Sequence, residues 1–274
     1  MADRPIIFSG PMVRALLAGT KTQTRRLITP GTCTVLGNRV TAKSPAWVGL
    51  KFDRAEVRTT SPTGVPRPHL AVPFVHPADE ARGMAADAVY RVDPVIEAGD
   101  RLWVRETWAV GNIYDGVPPS RINPTGKPGW CGIRYAATDE RLGIRDRPSI
   151  HMPRWASRLT LTVTEVRVQR LQDISDDDCF AEGLEKLDVT LGRNGEVVPL
   201  KQPMAANEWP QGRDGERGYA QDGWDMPQCV YADLWESLHG RGSWKVNPWV
   251  AAISFRVILA NIDSLPEQQA GGLA

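Results

Sequence analysis

Apolar and polar residues alternate along several stretches of the chain, and this period of two predicts β-strands. The longest alternations are at residues 101–110, 158–171 and 250–259, and a shorter one is at 133–137. Residues 5–8 form a short apolar run that predicts a first strand. Within residues 158–171, the apolar phase changes near Thr164 and Glu165. That change predicts a β-bulge at which the strand bends.

Other segments have the helical period of 3.6 residues. Met12, Leu16 and Leu17 form an apolar stripe, which follows a plausible N-cap at Ser9 and ends at Gly19. Two further helices are predicted, at residues 175–183 and 230–238. Strands with a few helices at intervals, and without a βαβ rhythm, favour an α+β domain over a doubly wound parallel sheet.

Two long segments rich in Pro and Gly interrupt these patterns, at about residues 30–97 and 188–228. We expect a single domain over residues 1–260 that carries these two segments as insertions. The insertions either decorate the domain or shape the access of a substrate. The Gly- and Gln-rich end, residues 261–274, is predicted to be a disordered tail.

The overall charge is nearly balanced, with a formal net charge of +1, 24% charged residues and 42% hydrophobic residues. This balance excludes a globally basic nucleic-acid-binding protein, so such a function would need local charge asymmetry. Asymmetry of that kind exists. Residues 1–30 carry five Lys and Arg residues against one Asp, whereas residues 173–188 carry seven Asp and Glu residues against one Lys.

The four cysteines and four histidines have no metal-ligand spacing, and we expect neither a metal nor a cofactor. The first residues are unlike a signal peptide. No apolar run reaches the roughly 18 residues of a membrane-spanning helix. We therefore expect a protein of the reducing cytoplasm, with no membrane partner.

Residues 19–26, Gly-Thr-Lys-Thr-Gln-Thr-Arg-Arg, bring three cations and three hydroxyl groups together directly after the first helix. In a strand, the odd-numbered side chains would share one face and the even-numbered ones the other. Lys21 and Thr24 would then meet only through a bend or bulge, whereas in a helix they would be neighbours at i, i+3. The segment is either a positively charged strand end or a functional site.

Glu106 lies within an apolar face, among Leu102, Val104, Trp108 and Val110. A carboxylate there must be paired, or its pKa must rise. It is either a general acid or base beside a lysine, or a structural ion-pair partner of Lys21, Arg25 or Arg26.

Gly19, Lys21, Thr24 and Arg26 fit the pattern Gly-x-Lys-x-x-Thr-x-Arg, which resembles the signature of the ASCH superfamily. The domains of this superfamily are small β-barrels related to the PUA RNA-binding fold. Three later segments also resemble parts of the family: residues 99–106 resemble a strand, 174–183 a helix, and 230–257 the region that contains the closing strand. The resemblance implies a small PUA-like β-barrel with flanking helices, here with long inserted loops.

Some ASCH proteins are amidohydrolases that remove an acyl group from the exocyclic amine of a modified cytidine, and others are reported as ribonucleases. The resemblance implies a catalytic set of Lys21, Thr24 and Glu106. Glu106 would activate water, Lys21 would polarise the acyl carbonyl or act as nucleophile, and Thr24 would bind the oxyanion. Arg26 would place a phosphate or fix the carboxylate.

The alternative is a module that binds single-stranded RNA or a modified base without turnover. Phosphate would be contacted by Lys21, Arg25 and Arg26. Bases would stack on Trp108 or on Trp155, which has Arg154 beside it. Trp155 and Arg154 can equally be an ordinary packing unit. In both cases the expected partner is a modified nucleoside or single-stranded RNA.

Overall fold

The computed structural model describes residues 1–60, 67–80, 82, 88–122, 132–140, 143–186, 200–201 and 226–266. The strands are β1 (Asp3–Ile7), β2 (Gln23–Leu27), β3 (Cys33–Val35), β4 (Asn38–Arg39), β5 (Glu56–Thr60), β6 (Arg67–Phe74), β7 (Ala88–Pro94), β8 (Arg101–Arg105), β9 (Trp108–Val110), β10 (Ile133–Tyr135), β11 (Thr160–Arg170), β12 (Glu185–Lys186), β13 (Leu200–Lys201) and β14 (Trp249–Ile258). The α-helices are α1 (Gly10–Leu17), α2 (Pro45–Val48), α3 (Pro77–Glu80), α4 (Asp176–Ala181) and α5 (Met226–His239). The fold is mixed α+β and consists mostly of sheet.

The central sheet has the strand order β1-β8-β11-β14-β2, in which β1 and β8 are parallel and the other pairs are antiparallel. Its inner face packs with α1 around one apolar core that includes Phe8, Leu16, Leu161 and Phe255. The register of β11 against β14 shifts between Val163 and Glu165, which confirms the predicted bulge.

The central sheet has two free edges, β1 and β2, and the described residues do not close it into a ring of hydrogen-bonded strands. The predicted α+β class is therefore confirmed, whereas the predicted PUA-like β-barrel is not, because the described strands of the central sheet form an open sheet. One side chain spans the gap: Arg26 on β2 donates from Nη2 to the main-chain oxygen of Ile7 on β1 at 2.8 Å.

Residues 30–97, expected as a Pro- and Gly-rich insertion, contain a second antiparallel sheet with the order β4-β3-β7-β6-β5. Its core includes Leu70, Val72 and Val92, and Val168 of β11 packs into the same cluster. Trp249 on β14 also donates from Nε1 to the main-chain oxygen of Phe52 at 2.9 Å. The second sheet is thus packed against the central one.

The helices α4 and α5 form a further apolar cluster, with Ile174, Tyr231, Leu234 and Trp235, against the other face of the central sheet. Val250 of β14 belongs to this cluster, while its neighbour Ala251 contacts the first core, as the alternation in a strand requires. The sheet is therefore covered on both faces, and α4 is fixed beside β2.

Two expectations about segments fall partly outside the described residues. Of the predicted insertion at 188–228, only residues 200–201 and 226–228 are described, and residue 226 already begins α5. The predicted tail at 261–274 is ordered at its start, because Ile262–Ser264 forms a 3-10 helix with Ile262 buried. No helix in the described ranges is long and apolar enough to span a membrane.

Candidate functional site

The cationic segment after α1 runs between two helices before it enters β2. Gly19 ends α1 with a φ of +74°, a conformation that favours glycine. The main-chain nitrogen of Lys21 then donates to Ala15 at 3.2 Å, and that of Thr22 donates to Ala181 at the end of α4 at 2.8 Å. Lys21 is thereby held at the junction of α1, α4 and β2.

Lys21 is fully buried and forms an ion pair with Glu182, the residue after α4. Its Nζ donates to Glu182 Oε2 at 2.7 Å and to the main-chain oxygen of the same residue at 2.8 Å. The other carboxylate oxygen, Oε1, accepts from Arg25 Nη1 at 3.2 Å. A lysine, a carboxylate and a guanidinium therefore form a continuous chain in a site from which water is excluded.

A second carboxylate extends this cluster. Asp178 on α4 accepts from Arg25 Nη2 at 2.7 Å, from Gln23 Nε2 at 3.0 Å and from Arg167 Nη2 at 2.7 Å. Lys21, Gln23 and Arg25 thus converge on the acidic residues of α4, which confirms the strand alternation predicted for the odd-numbered residues. We call Lys21, Gln23, Arg25, Arg167, Asp178 and Glu182 the Lys21 cluster.

Burial and charge perturb several groups in and beside this cluster. Burial lowers the pKa of Lys21 below its ordinary value, although the Glu182 carboxylate acts in the opposite direction. Burial alone would raise the pKa of Asp178, but the hydrogen bonds from Arg167 and Gln23 and the charge of Arg25 hold it below its ordinary value. Burial raises the pKa of Tyr231 well above its usual range. The ring of Tyr231 lies 5.8 Å from the Arg25 guanidinium.

The even-numbered residues of the segment lie on the opposite face of β2. Thr24 is buried and pairs with Ile253 of β14 across the sheet. Arg26 reaches the edge of β1 and lies 5.0 Å from the Phe8 ring, and the Lys21 Nζ approaches the same ring at 5.8 Å. The Phe8 ring is therefore close to a cation from each face of the segment.

Glu106 is buried, as its position on an apolar face predicted, but its partner is different from those expected. Arg158 donates to both of its carboxylate oxygens, at 2.8 Å from Nε and 2.9 Å from Nη2. Burial raises the pKa of Glu106 in spite of these hydrogen bonds. The expectation that Glu106 pairs with Lys21, Arg25 or Arg26 is wrong, because Arg158 occupies both oxygens and Glu182 takes the place beside Lys21.

The residues expected to bind RNA are mostly engaged within the protein. Trp108 is fully buried, and Trp155 packs edge-on against it with 6.0 Å between ring centroids. Arg154 is held by Asp3 at 2.6 Å and by Asp263 at 2.7 Å. Arg25 is buried in the Lys21 cluster. The predictions that bases stack on Trp108 and that Arg25 contacts phosphate are therefore wrong, because both side chains are buried in this structure.

Asp178 and Glu182 are the site residues that the sequence patterns did not single out. The charge asymmetry contained the signal, since the basic start of the chain and the acidic stretch that holds both residues meet in the Lys21 cluster. Ser175 and Asp178 have the spacing of a helix capping box at the start of α4. The Ser175 side chain does accept from the Asp178 main-chain nitrogen, but the Asp178 carboxylate binds the three donors described above.

Within the described ranges, no group of three or more His, Cys, Asp or Glu side chains is arranged to hold a metal ion. Comparisons of the chain with protein-family models, with curated proteins and with solved structures give no match.

Proposed function

We propose that this chain is an ASCH-type hydrolase that removes an acyl group from the exocyclic amine of a modified nucleoside, with Lys21 and Glu182 as its reactive pair. One observation carries the proposal: the Lys21 Nζ lies 2.7 Å from the Glu182 carboxylate in a buried site, and Arg25 holds the other oxygen. A reactive group, a partner within hydrogen-bond reach and a third group that orients the partner are the usual parts of a catalytic site.

The pair is suited to hydrolysis of an amide. Glu182 accepts a proton from water as the water oxygen attacks the acyl carbon, and Lys21 donates a hydrogen bond to the oxyanion that forms. The carbon–nitrogen bond then breaks, and the proton passes from Glu182 to the departing amine. The products are the free nucleoside and a carboxylic acid, so the reaction needs no co-reactant other than water.

Glu182 is favoured over Glu106 as the general base because it contacts the lysine directly. Glu106 lies apart from the lysine, and both of its carboxylate oxygens accept from Arg158. Lys21 and Glu182 are covered in this structure, so the proposal requires that the end of α4 moves to admit the substrate. Gly183 follows Glu182 with a φ of +98°, and a Cβ built there would meet the Cβ of Lys21 at 3.2 Å.

Other features support the ASCH assignment. The two free edges of the central sheet approach each other closely enough for Arg26 to bridge them, as in a sheet that curls toward a barrel. The Gly-x-Lys-x-x-Thr-x-Arg segment also supplies the lysine of the cluster and the arginine of this bridge. Thr24, which the resemblance places in the catalytic set, is buried on the face of β2 opposite to Lys21, so it takes no part in the reactive pair proposed here.

The test is hydrolysis of N4-acetylcytidine by the purified protein, followed by chromatographic detection of cytidine. We expect turnover by the wild type and a loss of at least about 100-fold in Lys21→Met, since general acid–base and oxyanion groups each contribute about that much. Arg58→Gln changes an exposed arginine of the second sheet and serves as the matched control. Absence of turnover by the folded wild type would contradict the proposal.

A non-catalytic binding module is the second candidate, and it is favoured by one observation. All the hydrogen-bond acceptors seen for Lys21 belong to Glu182, and the lysine has no exposed surface. In that case N4-acetylcytidine would bind without being converted, and Glu182→Gln would alter stability but would not reveal any lost activity. Equilibrium binding measured beside the hydrolysis assay separates the two candidates.

A further inference from the structure

A cavity of about 440 Å³ lies between the two free edges of the central sheet. One side is formed by β1, the other by β2, and a third wall comes from the segments that lead into and out of the second sheet. Its apolar lining includes Ile6, Ile7, Leu27, Val95, Ile96 and Ile253. A volume of this size is typical of pockets for small organic ligands, which span about 300–1,000 Å³.

The charged residues that line this cavity are Arg4, Arg26 and Arg39, and no acidic residue lines it. Arg4 is neutralised by Asp100 at 3.0 Å. Among the described residues, neither Arg26 nor Arg39 has a carboxylate oxygen within 4.0 Å. Arg26 Nη2 donates to Ile7, and Arg26 Nε is buried without a hydrogen-bond partner there. The lining therefore presents two guanidinium groups without a salt-bridge partner in the described part of the chain, although the charge of Glu182 also acts on Arg26.

Two guanidinium groups match one phosphomonoester, which carries a charge of about −1.5 to −2 near pH 7 and accepts several hydrogen bonds. The remaining lining lies between two strand edges and is mostly apolar, which suits a ring system. We propose that this cavity binds a phosphomonoester with a flat ring body, of which a nucleoside monophosphate is the example to test. The choice of a nucleoside rests on the proposed function, whereas the phosphate site does not.

The cavity is distinct from the Lys21 cluster, because neither Lys21 nor Glu182 lines it. Its third wall comes from residues 30–97, so the insertion contributes directly to the site. Arg39 lies on β4 at the edge of the second sheet, while Arg26 lies on β2 of the central sheet. A bound phosphate would therefore bridge the two sheets.

Isothermal titration calorimetry with cytidine monophosphate, cytidine and inorganic phosphate tests the proposal on the full-length protein. We expect the monophosphate to bind at least tenfold more tightly than either part alone. Arg39→Gln should weaken the monophosphate about tenfold, as expected for the loss of one charge-assisted contact, and should leave cytidine unchanged. Ile7→Trp, which adds volume at an exposed position in the cavity wall, should weaken binding of the monophosphate strongly.

Arg58→Gln is the control for charge on the second sheet, and its affinity should equal that of the wild type. Lys21→Met, which we expect to be inactive in hydrolysis, should still bind the monophosphate, so that failure of the hydrolase proposal and failure of this one are separable. Unchanged affinity in Arg39→Gln and Ile7→Trp would overturn the proposal. So would equal affinity for inorganic phosphate and the monophosphate, or no binding by the folded wild type.

Discussion

Replacing Glu182 by Gln should strongly destabilise the protein, because it leaves a buried lysine without a counter-charge. Lys21 is fully buried, and its Nζ has both of its hydrogen-bond acceptors on Glu182. Arg25 retains Asp178 as a partner, so Lys21 is the cation that remains uncompensated. Removal of one partner from a buried ion pair costs about 3–5 kcal/mol.

The protonation of Lys21 sets an upper limit to this cost. A lysine with an ordinary pKa of 10.5 can be buried in its neutral form at pH 7 for about 5 kcal/mol, at about 1.36 kcal/mol per pH unit. In Glu182→Gln the pKa of Lys21 falls further, because the carboxylate that raised it is gone. A lowered lysine pKa costs stability below that pKa, and the stability is regained as the pH rises toward 10.5. The limit is therefore only about 2 kcal/mol at pH 9.

Urea unfolding at 25 °C, followed by tryptophan fluorescence and far-UV circular dichroism, measures both quantities. We expect the free energy of unfolding of Glu182→Gln to be about 3–5 kcal/mol below that of the wild type at pH 7, with a smaller difference at pH 9. Glu165→Gln replaces an exposed glutamate and should stay within about 0.5 kcal/mol of the wild type. A difference below 1 kcal/mol for Glu182→Gln at pH 7, or one that grows toward pH 9, would refute the reasoning.

Two further predictions concern the residues whose expected roles the structure changes. Trp108→Ala should lower the free energy of unfolding by about 3–5 kcal/mol in the same urea assay, because Trp108 is fully buried and packs against Trp155. A loss below about 1 kcal/mol would contradict the burial of this ring. The pKa of Glu106 is raised in the folded protein, so this carboxyl group ionises at a lower pH in the unfolded chain. The stability of the wild type relative to Glu106→Gln should therefore fall as the pH rises from 4.5 through the folded-state pKa. Urea midpoints of the two proteins between pH 4.5 and 7 check this, and a difference that does not change with pH would contradict it.

The local patterns of the sequence predicted the elements around the site well. The alternation from Lys21 to Arg25 correctly assigned their shared face, and the phase change in β11 correctly located the shift between Val163 and Glu165. Both are properties of consecutive residues, which strand geometry relates directly. The burial of Glu106 could be predicted for the same reason.

The partners of these residues could not be predicted, since they are distant in the chain. Lys21 and Glu182 are 161 residues apart, and Glu106 and Arg158 are 52 apart. Nothing in the pattern of Glu106 distinguishes one cation from another. Only the packing of α4 beside β2 brings Glu182, rather than Glu106, to the lysine.

The second sheet was not predicted because proline breaks its strand patterns. Proline lacks the N–H that a sheet needs and usually argues against an interior strand. Nevertheless β6 contains Pro68 and Pro73 and lies between β5 and β7. Packing against the central sheet through Val168 outweighs this local preference.

The measurement that tests the central claim most directly compares Glu182→Gln with Glu106→Gln in the hydrolysis of N4-acetylcytidine. Circular dichroism, at a temperature where both variants are folded, accompanies the rate measurement. We predict that kcat falls at least about 100-fold in Glu182→Gln and stays within a few-fold of the wild type in Glu106→Gln. The reverse order, with activity retained by Glu182→Gln and lost in Glu106→Gln, would contradict the assignment of Lys21 and Glu182 as the reactive pair.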